Sequence, residues 1–273
     1  MKHLKMLTLF SAILLTLLMG SCDALFSNKF QELGLGQVDS AALAEASSET
    51  LITQSGINSG TISQSFIDAA LKDDTTKAAI VAELTTASTS GDPKVEQTAQ
   101  ALLIEIKLQD TGAKEVVSNM GGLLDLFTGD DQPDPSTAAG MNAIIDTLIP
   151  ADMSDEDLVD VFNNLNLLAN NEIADFGANL VANGGLQNDN IDTASIAQTA
   201  VLATVVEVLD PVAGYATIGE ALVAALNNED SAKDFGDFVT IPAGGLGDLT
   251  TDANLTAIFT AAGLGDLINQ LGS

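Results

Sequence analysis

The 273-residue chain has no tryptophan and only one cysteine, one histidine and one tyrosine. Arginine is absent too, so all nine basic residues are lysine. Each absence closes a class of chemistry. The lone histidine, His3, sits at the extreme N-terminus, which leaves the body of the chain without histidine acid–base catalysis, Ser-His-Asp triads or the usual zinc ligands. The single cysteine, Cys22, has no second cysteine in the chain to pair with, and no thiol follows it. Without arginine there are no bidentate clamps for phosphates or carboxylates. Aromatic residues make up 4% of the chain, a poor supply of stacking platforms for sugars. Positive charge is scarce against 38 acidic residues, and the formal net charge is −29. Only seven lysines follow Cys22 against all 38 acids, a net charge near −31 for that part of the chain. Such a surface repels phosphate backbones and anionic headgroups, which argues against nucleic acid and against electrostatic membrane docking. Solubility, in a saline habitat for example, explains the acidity better than a cationic partner does.

What is present begins with an export-type leader. Lys2, His3 and Lys5 form a short basic start. The run from Leu7 to Met19 is apolar apart from Thr8, Ser11 and Thr16, and the small residues Gly20 and Ser21 follow. As a helix this run would be about 20 Å long, too short for a hydrocarbon core of about 30 Å. The string Leu18-Met19-Gly20-Ser21-Cys22 resembles the lipobox of bacterial lipoproteins, in the relaxed form of spirochaetes and some other diderm bacteria. Met19 stands where leucine is usual, and Ser21 replaces the commoner glycine or alanine. The resemblance covers residues 1–23 and carries no information about the body. It implies a diacylglycerol on the Cys22 sulfur, cleavage before Cys22, and an acyl chain such as palmitate on the new amino terminus. The competing reading is a secreted chain cut after Ala24, with Cys22 discarded. Asp23 resembles the inner-membrane retention signal of enterobacterial lipoproteins, a rule that does not transfer between phyla. The expected location is a bacterial cell envelope, with the outer membrane ahead of the inner one.

Residues 1–21 are thus expected to be a signal peptide, 22–37 a tether carrying Phe26, Phe30 and Leu33, and 38–273 an α-helical domain. Helical spacing of apolar residues predicts roughly ten helices and essentially no strand, an irregular multi-helix bundle or array of helical hairpins. The early helices are expected over 40–53, 61–71 and 76–87, with a break at 57–60. Asp92 and Pro93 mark the start of the next, with Val95, Ala99, Leu102, Leu103 and Ile106 on its stripe. Asp92-Pro93-Lys94-Val95 also faintly resembles the second helix of a HEAT repeat, but no second copy recurs at a fixed period. Further helices are expected over 113–127 and 136–148. Between them Gly129 to Pro135 is the clearest loop and the best internal boundary. Ser154 and Asp157 predict a capping box. The row Leu158, Val161, Phe162, Leu165, Leu168, Ile173, Phe176 and Leu180 behind it suits a central core helix. Asp192 caps a helix through Leu209 whose middle, Ala200 to Val206, is apolar on nearly every face except Thr204 and so expected to be buried. Short helices follow over 217–226, 251–262 and 264–271, and Phe238 to Ile241 form a short extended piece.

No constellation in the body points to a reaction. Asn188, Asn190 and Asp192 imitate alternate EF-hand ligands, but Thr193 and Thr199 occupy the positions that need glycine and glutamate. Asp130, Asp131 and Asp134 read as a solvated loop, and Asp152, Asp155, Glu156, Asp157 and Asp160 as helix-capping charge. Paired carboxylates of the glycosidase kind are expected by chance among 38 acids. Ala243-Gly244-Gly245-Leu246-Gly247 is followed by Asp248 where a phosphate-binding loop needs lysine. The expected lipid-attachment residue is therefore Cys22, with no catalytic, cofactor-binding or metal-ligating residue assigned. The expected function is non-enzymatic, a structural or interaction lipoprotein whose partners are the membrane, through Cys22, and another envelope protein. The alternative is a carrier for an apolar ligand held in a cavity between helices.

Overall fold

The structure, a computed structural model, describes residues 38–119, 147, 149–150, 152–228, 233, 235–240 and 252–264. It is all-α. The helices are α1 (Ser40–Ala44), α2 (Ser48–Ser55), α3 (Gln64–Ala70), α4 (Asp74–Ala87), α5 (Pro93–Asp110), α6 (Asp155–Leu168), α7 (Ala174–Ala182), α8 (Thr193–Glu207), α9 (Ile218–Leu226) and α10 (Ala253–Ala261). A helical run also covers 113–119, and a π turn, Ala169–Ile173, joins α6 to α7. The strand content among the described residues is one antiparallel pair, β1 (Asp210–Pro211) with β2 (Val239–Thr240); β2 lies inside the stretch expected to be extended, and β1 is not among the expected elements.

Short polar side chains start the helices. Asp39, Asp73, Asp92, Asp192 and Asp252 each accept a backbone N–H of the first turn, from Ala41, Thr76, Lys94, Ser195 and Leu255 respectively. An ionised carboxylate at this position also meets the positive end of the helix dipole. Part of the acidic excess is therefore spent on helix starts. The predicted capping box is present: Asp157 N–H donates to Ser154 Oγ at 3.2 Å, and Ser154 N–H donates to Asp157 Oδ2 at 3.1 Å. The Ser154 hydroxyl, with this N–H, holds the Asp157 carboxyl below its ordinary range.

The single helix expected over 40–53 is instead two, α1 and α2. Ser47 breaks it by capping α2 through the Thr50 N–H, while Glu83 on α4 accepts the Ser48 N–H at 2.8 Å. The break at 57–60 is a 3-10 turn between Gly56 and Gly60, both left-handed. At Gly56 a Cβ would also lie 2.9 Å from the Thr61 carbonyl oxygen, so glycine is required there on two counts. The expected loop at 129–135, most of the helix at 136–148 and, apart from Leu264, the helix at 264–271 lie outside the described residues.

Helix α5 is the centre of the molecule. It packs against α2, α3 and α4 on one side and against α6, the π turn and α7 on the other. Every residue from Gln97 to Ile104 is buried. The row behind Ser154, expected to suit a core helix, does line the core: of Leu158, Val161, Phe162, Leu165, Leu168, Ile173, Phe176 and Leu180 all but Phe162 are buried. That helix borders the core but keeps a solvent face, on which Leu167 is 58% exposed and Val181 51%. Its apolar stripe is regular; α5 buries polar side chains as well, among them Gln97, whose amide has its partners in another element. Helix α8 is largely buried, as its apolar composition predicts, between α6 and α10.

Candidate functional site

Cys22, the one residue with an assigned chemistry, lies outside the described residues, as do Asp130, Asp131, Asp134 and the glycine run at 243–248. Within the described body, charged and polar groups converge at the two ends of α5.

At its C-terminal end three lysines meet carboxylates from other segments. Lys114 Nζ lies 2.7 Å from Glu105 Oε2, both side chains about 15% exposed, and Glu105 Oε1 accepts Gln109 Nε2 at 3.1 Å. Lys114 also reaches Ser195 Oγ at 3.5 Å on α8. Asp192, beside them, caps α8 through the Ser195 N–H at 3.1 Å. Burial pushes the Asp192 carboxyl above its ordinary value; that N–H and the Lys114 charge pull it back, and Glu105 opposes them. Lys107 pairs with Glu172 of the π turn. Asn164 Nδ2 donates to the Lys107 carbonyl at 3.0 Å and to Thr111 Oγ1 at 2.9 Å, which ties α6 to the C-terminus of α5. Lys77 of α4 binds Asp110 at 2.9 Å, and that carboxylate holds the ammonium above its ordinary value. Cations near a helix C-terminus also complement its dipole.

At the other end of α5, Gln97 is wholly buried and grips the loop after α7. Its Nε2 donates to the Gly185 carbonyl at 3.1 Å, and its Oε1 accepts the Gln187 N–H at 2.7 Å. Asn188 Nδ2 donates to Thr98 Oγ1 at 2.9 Å and to Asn58 Oδ1 at 3.3 Å, and Asn190 N–H donates to Asn188 Oδ1. The residues that imitate an EF-hand are therefore engaged in holding the fold, with Asp192 on its helix. Replacing Gln97 by leucine would strip the Gln187 N–H of its partner and leave the Gly185 carbonyl with Gln187 Nε2 alone, at 3.2 Å. The Gln97→Leu variant is expected to lose about 2 kcal/mol, read as a lower urea midpoint with an unchanged slope.

Chemically, these clusters tie helices together. Ser195 is 9% exposed, and Lys114 offers it a hydrogen-bond donor while its charge is committed to Glu105. Of the capping acids, Asp155 accepts Asn227 Nδ2 at 2.8 Å, a link from α6 to the end of α9. Among the described residues no helix is long and apolar enough to cross a membrane, and no group of three or more acidic, histidine or cysteine side chains is placed to hold a metal ion. The ion pairs of α5 were missed by sequence reasoning. Their trace is the string Ile104-Glu105-Ile106-Lys107-Leu108, where charges alternate with buried apolar residues and so must find partners inside. No family model, curated protein or solved structure matches this chain.

Proposed function

We propose that this chain is a lipoprotein of a bacterial cell envelope, anchored through Cys22, whose helical body has a non-enzymatic structural or protein-interaction role. The observation that carries the reading is the only cysteine of the chain, set directly after Leu18-Met19-Gly20-Ser21 at the end of a short apolar run. Each buried methylene of an acyl chain adds about 0.8 kcal/mol of membrane affinity, so diacylglycerol plus an N-terminal acyl chain gives stable anchoring. The scaffold part of the reading is supported by the body itself, whose partly buried charges serve contacts between its own helices. The partners are the membrane and another envelope protein. The acidic body would stand off from anionic lipid, held by the anchor alone.

The Cys22→Ser variant tests the anchor. It is expected to move from the membrane fraction to the soluble fraction and to lose labelling by a fatty-acid analogue. An unmutated protein that stays on membranes without taking up label would overturn the lipid anchor. The interaction role fails separately, if cross-linking in intact cells captures no protein neighbour.

A further inference from the structure

The two halves of the long helix bury faces that an unbroken α-helix would set apart. Buried positions in the first half are Leu158, Val161, Leu165 and Leu168, and in the second half Ile173, Phe176, Gly177 and Leu180, with Ala169 at the junction between the two stripes. At about 100° per residue the centres of these two stripes differ by about 90°. An unbroken helix with its first half in place would turn Glu172 and Asn179 to the centre of the core. The π turn Ala169–Ile173 lies between the halves. With about 4.4 residues per turn, its five residues advance about 90° less than five α-helical ones would, which matches the mismatch.

Side chains in and beside the turn fit this role. Asn170 Nδ2 donates to the Asn166 carbonyl at 2.9 Å, and Asn171 Nδ2 donates to the Leu167 carbonyl at 2.6 Å. These amides supply donors where the widened turn disturbs the α-helical ladder. From the flanks of the aligned second half, Glu172 reaches Lys107 and Asn179 Nδ2 reaches Glu96 Oε2 at 2.7 Å.

We infer that the π turn is a one-residue phase correction, a conformational device that sets both halves of this helix on the core at once and is specified by Asn170 and Asn171. Removal of one residue inside the turn then leaves a continuous α-helix with both faces in place, because a deletion rotates the second half by the same angle the turn now supplies. Removal of a residue elsewhere in the helix misplaces buried side chains whether the turn persists or not. The test compares two deletions in the full chain, one of Asn171 and one of Ala178, an exposed residue of α7. Loss of Ala178 displaces either Leu180 with the Gln97 clamp beyond it, or Ile173 with Phe176.

The Asn171 deletion is expected to unfold cooperatively within a few degrees of the parent, with unchanged helical circular dichroism. The Ala178 deletion is expected to lose at least about 10 °C in Tm. Equal damage from both deletions, or equal tolerance of both, overturns the inference.

Discussion

Alanine at Gly219 is expected to destabilise the protein by about 3 kcal/mol, although an ordinary helical glycine-to-alanine change gains up to about 1 kcal/mol. The sign reverses because of what the glycine faces. Gly219 opens α9 against α6, and a Cβ there would sit 2.3 Å from the Val159 carbonyl oxygen and 2.9 Å from Asn163 Oδ1. Asn163 already uses that oxygen to accept the Gly219 N–H at 3.0 Å. A backbone carbonyl cannot swing aside as a side chain does, so the helices must separate and lose both the bond and the packing around Leu222 and Val161. Gly177 on α7 is held in the same way, its Cβ position 2.6 Å from Asn254 Cβ and 2.8 Å from the Asn254 carbonyl oxygen on α10. Urea unfolding of Gly219→Ala checks the expectation, and a variant as stable as the parent would show that α9 does not need this close approach.

Lys114→Met is expected to have an effect of similar size with a distinctive pH dependence. The substitution keeps most of the side-chain volume and removes the ammonium, leaving Glu105 and Asp192 near each other without a cation. Breaking a buried pair from one side costs about 3 kcal/mol or more, and for this partly buried pair the loss at about pH 7 is expected to be about 2 kcal/mol. Without Lys114, the burial and the Glu105 charge that already raise the Asp192 carboxyl act with less opposition. A carboxyl raised in the folded state takes up its proton there before it does so in the unfolded chain. Stability relative to the parent is therefore regained as pH falls through the raised value towards the ordinary 3.8, and lost as pH rises. Unfolding of variant and parent at about pH 7 and about pH 4.5 reads this. A deficit that does not shrink at the lower pH would mean that Lys114 acts by packing alone.

The parts of this fold that are legible in the sequence are the ones made by neighbours along the chain. Asp92 before Pro93, Ser154 three residues before Asp157, and Asp192 before Ser195 mark helix starts through bonds spanning two or three residues. Whether a side-chain oxygen caps a helix depends on local spacing, so the all-α class and most helix positions follow from the residues in order. The break at Ser47 was harder to see, since α1 is short and Glu83 of α4 helps to fix the start of α2. The lipid-attachment reading of Cys22 likewise belongs wholly to a short run of residues, outside the described body.

Tertiary structure alone decided what lies deepest and what touches what. The regular stripe from Leu158 to Leu180 is buried as its spacing suggests, but the enclosure of α5, with Gln97, Thr98 and Gln100 buried in it, is a product of packing. Hydropathy ranks a glutamine as a surface residue; only the Gly185 carbonyl and the Gln187 N–H, nearly ninety positions away, make its burial affordable. The same holds for Lys107 with Glu172 and for Gly219 with Val159. Local spacing sets the conformation of each segment because its bonds close within one turn. The order of packing is set by partners far apart in the chain, whose value exists only once water has been excluded between them.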